Sequence, residues 1–329
     1  MTDYKDKHGL NVPIVSSDPS DPIIGQVWYN TTTNLLKYKG PLGAGSWASG
    51  GNLNTGRTAG GMFGLQSASI YFGGNIAPGP GTVAIVESYN GSAWSEVGDL
   101  NEVKDYIAGA GTSSAGLAFG GEPTTANVES WNGSAWSETT NMNTAKDFHC
   151  GAGTQSSALA FAGEDSGGLS AKTESWNGSA WSEVGDQNTA RKTASSAGAS
   201  NTDALLFMGD DVGNGQARQI TESWNGTSWS EVADTNTGGR LGSGCGTSTE
   251  ALAMGRYSPS PSNWDLTEEW NGSSWTEVAD MATGRYYTAG SGTQALGLVA
   301  SGQAGPGGPN QTATEEFTKS NGVETISTT

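Results

Sequence analysis

Glu129-Ser130-Trp131-Asn132-Gly133-Ser134-Ala135-Trp136-Ser137-Glu138 is the stretch that decides how this chain folds. It returns almost letter for letter as Glu87 to Glu96, where Tyr89 replaces the first Trp, and again as Glu174 to Glu183, Glu222 to Glu231 and Glu268 to Glu277. Ten residues repeated this closely describe one small object built several times. A period of roughly 40–50 residues is the mark of solenoids, propellers or arrays.

An Asn-Gly pair flanked by short β-prone runs signals a hairpin, because a type I′ turn needs positive φ at both central residues. Centring the turn on Asn132-Gly133 sets Trp131 opposite Ser134 and Glu129 opposite Trp136. Side chains alternate along a strand, so the two Trp rings share a face as diagonal neighbours, a contact worth a few tenths to about 1 kcal/mol. The same packing role is expected for Tyr89 with Trp94, Trp176 with Trp181, Trp224 with Trp229, and Trp270 with Trp275.

Upstream of each hairpin lies a Gly/Ala/Ser-rich run, then a short apolar run ending in glycine. Gly151-Ala152-Gly153-Thr154 followed by Ala158-Leu159-Ala160-Phe161-Ala162-Gly163 is one case, and equivalents end at Gly73-Gly74, Gly120-Gly121, Gly209, Gly255 and Gly302. Small residues imply close approach of neighbouring backbones. The apolar run reads as a buried strand and its glycine as the turn after it. Each unit is then four strands, and four-stranded blades around an axis make a β-propeller. A basic residue precedes the innermost strand of each unit: Arg57, Lys104, Lys146, Arg191, Arg240 and Arg285. Because it travels with the repeat, it is expected to be a structural donor between blades, not an anion site. Six such positions point to six blades.

The apolar run ending in Phe-Gly-Gly, the later Glu-x-Trp/Tyr, the second Trp and the basic residue opening the next unit resemble kelch-type repeats over about residues 45–320. Only four residues separate the two aromatics, fewer than is usual in that family, so the resemblance implies a divergent branch. The copper-radical oxidase chemistry of some kelch proteins needs Tyr, His and Cys ligands, and nothing here matches that set.

The chain has 329 residues, 15% of them charged, 51 glycines, a net charge of −18 and a pI near 4.3. An acidic chain of this kind is not expected to bind nucleic acid through a basic surface or anionic lipid headgroups. No apolar run reaches the length of a membrane span, and the residues after Met1 lack the apolar region of a secretory signal. The two cysteines, Cys150 and Cys245, fall in the innermost strands of the third and fifth units, so they read as small buried residues, with no disulfide. With only His8 and His149 beside them, no zinc spacing exists. No cofactor or metal is expected; Asp99, Asp186, Asp234 and Asp280 recur after the hairpins, but no Asp-x-Asp-x-Asp loop supports calcium. The turn geometry accounts for Asn90, Asn132, Asn177, Asn225 and Asn271, so their sequons are not read as glycosylated.

Residues 1–30 differ in kind. Asp18-Pro19-Ser20-Asp21-Pro22 reads as a linker, and Gly25 to Tyr38 as strand, turn, strand. Gly25-Gln26-Val27-Trp28-Tyr29-Asn30-Thr31-Thr32 resembles the Gly-x-x-Trp-Tyr-Asn-x-Thr segment near the start of many bacteriophage tail-fibre and other virion proteins, those of marine phages in particular. That resemblance implies a virion location and a docking role for Trp28 and Tyr29 against other virion proteins. Thr314-Glu315-Glu316-Phe317 matches the Glu-x-Trp strand without a second Trp, so the C-terminal strands around 286–317 are expected to take their outermost strand from the segment around Trp47. The expected organisation is an arm over 1–44 and a propeller over 45–329; seven blades, using Val27 to Trp47, is the alternative.

Ser/His/Asp catalysis and paired carboxylates are both disfavoured, because the candidate residues follow the repeat and a working pair would more readily break it. What does break the repeat is the connection between apolar strand and Trp hairpin: residues 75–82, 122–126, 164–171, 210–219, 256–265 and 303–311. Variable loops on a constant scaffold are where binding residues collect. Arg218, Arg256, Tyr257, Trp264, Asp165 and Asn310 are the candidate contacts, with Tyr257 and Trp264 the large aromatics among them. The reading is a non-enzymatic, tail-fibre-type phage protein whose loop face contacts a host-surface polysaccharide or protein. A capsid or tail decoration protein is the alternative, and a polysaccharide depolymerase a distant third. Nothing in the chain specifies an oligomeric state.

Overall fold

The computed structural model describes residues 12–20, 26–39, 43–259, 263–319 and 323–325. Among them the regular elements are all strands. The chain divides into two compact units, Met1–Gly45 with Lys319–Thr329, and Ser46–Thr318.

The larger unit holds six four-stranded antiparallel sheets among its described residues. In the second of them Ala108–Thr112, Ala115–Phe119, Val128–Trp131 and Trp136–Glu138 follow one another as a meander. The first strands of the six sheets are Gly61–Leu65, Ala108–Thr112, Cys150–Thr154, Ser195–Ser200, Ser243–Gly246 and Ala289–Gly292. They neighbour one another in cyclic order, the sixth lying against the first. The fold is therefore propeller-like and all-β. Close approach around the axis explains the small residues: a Cβ on Gly151 would lie 2.7 Å from the Phe119 ring and 2.8 Å from the Gly109 carbonyl oxygen. In the sixth sheet Ala289–Gly292, Leu296–Ala300 and Thr314–Thr318 are joined by Ser46–Ser49, with Phe317 opposite Trp47. Pairing the two ends of the unit in one sheet leaves no open edge between them.

The hairpin differs from the sequence expectation. Trp131 pairs directly with Trp136, and Glu129 with Glu138, around the four-residue loop Asn132 to Ala135. The loop closes through the side chain of Asn132, whose Oδ1 accepts from the Ser134 and Ala135 amides at 2.9 Å each. Asn132 therefore caps the turn as an Asx residue, and only Gly133 takes positive φ, at 94°. The Trp131 and Trp136 ring centroids stand 5.2 Å apart, and the Trp176–Trp181, Trp224–Trp229, Trp270–Trp275 and Tyr89–Trp94 pairs repeat the contact.

The second ring of each pair joins one sheet to the sheet before it. Trp136, Trp181, Trp229 and Trp275 meet Phe72, Phe119, Phe161 and Phe207 at 4.9–5.5 Å. Their indole N–H groups have a partner only where the preceding sheet supplies a hydroxyl. Trp94 donates to Thr314, Trp229 to Thr173 and Trp275 to Thr221, while Trp47 is shared between Thr267 at 3.2 Å and the Ala279 carbonyl at 2.8 Å. In the two remaining sheets that position is Val86 or Val128, and the buried Nε1 atoms of Trp136 and Trp181 have no partner. A buried donor without an acceptor is destabilising, and a net hydrogen bond contributes about 1 kcal/mol. Val128→Thr is accordingly expected to raise Tm by about 2 °C. A melting curve unchanged or shifted down would show that the hydroxyl does not reach Trp181.

The smaller unit pairs Val27–Asn30 with Leu35–Lys39, adds Ile14–Val15 in parallel, and takes Val323–Thr325 as its fourth strand. This corrects the assignment of everything after residue 44 to the propeller: a strand at the far end of the chain satisfies the open edge of the N-terminal hairpin. Asp18, expected in a linker, is the polar centre of the unit. It accepts from Lys37 Nζ at 2.7 Å, Asn30 Nδ2 at 2.7 Å and Trp28 Nε1 at 2.9 Å. Those hydrogen bonds, from Lys37 first and then Asn30 and Trp28, lower its carboxyl to about 2.

Candidate functional site

In a four-stranded meander, the links into each first strand and the connections between second and third strands emerge on the same side. At the entry to each first strand one residue adopts the left-handed conformation: Ala59, Tyr106, Phe148, Thr193, Leu241 and Tyr287, with φ between 47° and 58°. Left-handed φ is unusual outside glycine, and for β-branched Thr193 it carries real strain. A belt of backbone hydrogen bonds holds it. Tyr106 N donates to Ala59 O at 2.7 Å, Thr193 to Phe148 at 3.1 Å, Leu241 to Thr193 at 2.8 Å, Tyr287 to Leu241 at 2.7 Å and Ala59 to Tyr287 at 3.3 Å.

The side chains of this belt form the mouth of the axial channel. Tyr106 and Phe148 stand 3.9 Å apart by ring centroids, and Tyr106 meets Tyr287 edge-on at 5.9 Å. Burial, reinforced by the hydrogen bond to Tyr287, pushes the Tyr106 phenol up. Beneath the mouth the channel encloses about 140 Å³, lined by residues such as Cys150, Ser195, Ser243 and Gly290. That is well below the roughly 300–1,000 Å³ of small-molecule pockets. Recognition of a sizeable ligand therefore falls to the surface around the mouth.

On the side of the fifth and sixth sheets that surface is aromatic. Tyr257 and Trp264 lie nearly parallel, 16° apart with centroids 6.2 Å from each other, and Tyr286 meets them edge-on at 5.2 and 5.8 Å. Tyr286 leads on to Tyr287 at 5.0 Å, so the rings continue to the mouth. Arg240 lies over Tyr257 with its guanidinium carbon 4.7 Å from the ring centroid. On the side of the second and third sheets the exposed Glu122 and half-buried Glu164 are paired with the buried Asp105 and Asp147. The neighbouring Asp147 carboxyl raises that of Glu122, with burial a smaller cause.

A carboxylate clamp explains which charges are structural. In the fourth sheet Glu222 accepts from Arg191 Nη1 at 2.8 Å, from the Asn188 amide at 2.7 Å and side chain at 2.9 Å, and from the Thr189 amide at 3.3 Å. Glu87 with Arg57 and Glu315 with Arg285 repeat it at 2.6 Å. These arginines thus tie the incoming link to their own sheet, not to a neighbouring one as the repeat suggested. The lysines are too short to copy them. Lys104 pairs with Glu102, and Lys146 donates to the Lys172 carbonyl at 2.5 Å, burial lowering its pKa to about 8.

The candidate contacts from the sequence separate accordingly. Arg256 is fully buried and holds Glu268 at 2.7 Å, so it is a clamp residue and no ligand contact. Arg218 is bound to Asp211, and Asp165 to the Gly167 amide at 2.7 Å with Lys172 at 3.5 Å. Asn310 is tied to the Asn75 carbonyl at 2.9 Å. Tyr257 and Trp264 are brought together. Their aromatic partners Tyr286, Tyr287, Tyr106 and Phe148 come from the links, which vary too much in sequence to show a motif. Trp28 is fully buried, its indole bound to Asp18, so packing replaces the docking contact expected of it; Tyr29 remains half-buried. Asp99, Asp234 and Asp280 each accept the first amide of a third strand, at 3.1 Å. Both cysteines are free and buried, burial pushing each thiol up to about 12.

No known family model matches the sequence, and no curated protein does. Among solved structures the chain is similar to the structure of YjhT, with a TM-score of 0.66 at 13% identity over 84% of this chain and 99% of that one. In all, 364 chains of solved structures match, so the architecture is too widely shared to indicate an activity.

Proposed function

We propose that the chain is a six-bladed, kelch-like propeller acting as a non-enzymatic recognition component of a tailed-phage particle. Its smaller unit would join it to other virion proteins, and its loop face would contact a polysaccharide or protein of the host surface. The observation that carries the recognition reading is the Tyr257–Trp264–Tyr286 surface beside Arg240, on the side where the variable loops emerge. Tyr257 and Trp264 are partly exposed and rest on the buried Tyr286, and aromatic rings on a rigid support bind with little loss of conformational freedom. Support for the virion setting comes from the Trp28-Tyr29-Asn30 hairpin resemblance and from an acidic, non-adhesive surface.

The carboxylates on the loop face favour recognition over glycoside cleavage. The Asp105–Glu122 and Asp147–Glu164 bridges are the same pairing repeated in two sheets, whereas a catalytic pair would more readily break the repeat than follow it. Electron cryo-microscopy of intact particles is the test, combined with binding of the purified chain to host cells. A ring at the distal part of a tail appendage, and at least tenfold weaker cell binding by Trp264→Ala, are expected. A ring flat on the capsid or tail tube with its loop face covered would establish the decoration alternative instead. Absence from particles would end the virion reading.

A further inference from the structure

We propose that Arg240, with Tyr257 and Trp264 backed by the buried Tyr286, forms a subsite for one acidic sugar residue, its carboxylate on the guanidinium and its ring on the Tyr257 and Trp264 rings. This rests on the reading of the loop face as a recognition surface and names the ligand chemistry. It begins from an exchange of residues in the fifth sheet. The fourth link runs Asn188-Thr189-Ala190-Arg191-Lys192 and the fifth, of equal length, Asn236-Thr237-Gly238-Gly239-Arg240, with its arginine one position later. Gly239 therefore stands where the arginine belongs: Gly209 N donates to its carbonyl just as Gly163 N donates to that of Arg191. The clamp is completed from the opposite direction by Arg256, which stands where the other sheets carry Gly74, Gly121, Gly163, Gly209 and Gly302. A Cβ on Gly239 would lie 2.7 Å from Arg256 Cδ, so the glycine makes room for the substitute.

The exchange releases Arg240 from structural duty and moves it one position along, onto the loop face. Its counterparts there are Thr58, Asp105, Asp147, Lys192 and Tyr286, each forming the same bridge to its sheet's loop. Lys192 is held by Glu164 at 2.8 Å and nearby Arg218 by Asp211. Arg240 forms no ion pair among the described residues, and its Nε has no hydrogen-bond partner. Its fixed contacts are the Tyr257 face at 4.7 Å and Gly215, where a Cβ would stand 3.1 Å from Nη2, so the guanidinium packs against the glycine backbone. A planar fork of donors with no acceptor, resting on an aromatic ring, matches a carboxylate bidentately. The adjoining rings suit the C–H faces of a sugar.

The overall charge narrows the ligand. With a net charge of −18 the chain repels a polyanion. A single acidic residue on an otherwise neutral saccharide escapes most of that repulsion, because charges beyond about 8 Å are screened at physiological ionic strength.

The test is isothermal titration and saturation-transfer NMR with two matched oligosaccharides, one ending in glucuronic acid and one in glucose. The expected result is binding of the glucuronic acid form at least tenfold tighter than the glucose form. Arg240→Gln should remove that preference and leave the melting curve unchanged, Arg240→Lys should retain part of it, and Trp264→Ala should weaken both oligosaccharides. If both bind equally and Arg240→Gln changes nothing, the acidic-sugar subsite is wrong while saccharide recognition by the face survives. If neither binds although the purified chain still adheres to host cells through Trp264, the subsite is wrong and the host contact is not a saccharide. If neither binds and Trp264→Ala leaves host-cell adhesion unchanged, the recognition reading falls with it.

Discussion

Glu222→Ala is expected to lower the stability of the larger unit by about 3–5 kcal/mol, the usual loss when one partner of a buried ion pair is removed. Arg191 and Glu222 are both fully buried, and burial alone already draws the Arg191 guanidinium down from its ordinary pKa. Removing the carboxylate strands that charge and also orphans the Asn188 amide, the Asn188 side chain and the Thr189 amide. Glu129→Ala is expected to cost less. Its carboxylate accepts the equivalent Asn101 and Glu102 amides, but no arginine is left behind, since Lys104 pairs with Glu102. The fifth sheet gives a sharper version. Arg256→Gly should be about as damaging as Glu222→Ala, and adding Gly239→Arg should recover most of the loss by restoring the arrangement of the other sheets. Urea unfolding of the four variants checks this. Equal losses for Glu129→Ala and Glu222→Ala, or no recovery in the double variant, would show that the arginine is not what makes the clamp.

His149→Ile is expected to make the protein less sensitive to mild acid. His149 is buried in the place that Ile107 fills in the second sheet, and neither ring nitrogen has a hydrogen-bond partner. Burial, and then the charge of Lys146, hold its pKa down to about 3. The unfolded imidazole takes up a proton near pH 6.5. Below that pH the unfolded state binds one more proton than the folded state, so stability is full above about pH 6.5 and declines as pH falls toward about 3. Between pH 7 and pH 5 this one group removes about 2 kcal/mol. Isoleucine carries no such proton and leaves no unpartnered nitrogen, so the variant should match or exceed the parent at pH 7 and be the more stable at pH 5. Equal pH dependence of the two in urea titrations would mean that His149 gains a partner or solvent in solution.

The repeat, the all-β class, the four-strand unit and the pairing of Trp47 with the C-terminal strands follow from sequence alone, because each depends on local chemistry repeated many times. A Gly-Ala run placed before an apolar strand in every unit allows close backbone approach, and an aromatic pair in each hairpin of a polar chain needs a face to bury. Register did not follow. Asn132 could close a two-residue turn with its backbone or a four-residue loop with its side chain, and packing of Trp131 directly on Trp136 decided for the loop. Which charges are free was equally out of reach of the sequence. Arg240 reads in line with five other cations, and a glycine in the clamp position with the arginine one place later, together with Arg256 arriving from a different loop, changes its role. The aromatic surface is likewise a product of the tertiary fold: Tyr106, Phe148 and the Tyr286-Tyr287 pair come from three separate links, and the six equivalent positions Ala59, Tyr106, Phe148, Thr193, Leu241 and Tyr287 share no residue type. Only the cyclic closure of the first strands brings those positions to one mouth, because the belt fixes backbone conformation and leaves the side chain unspecified.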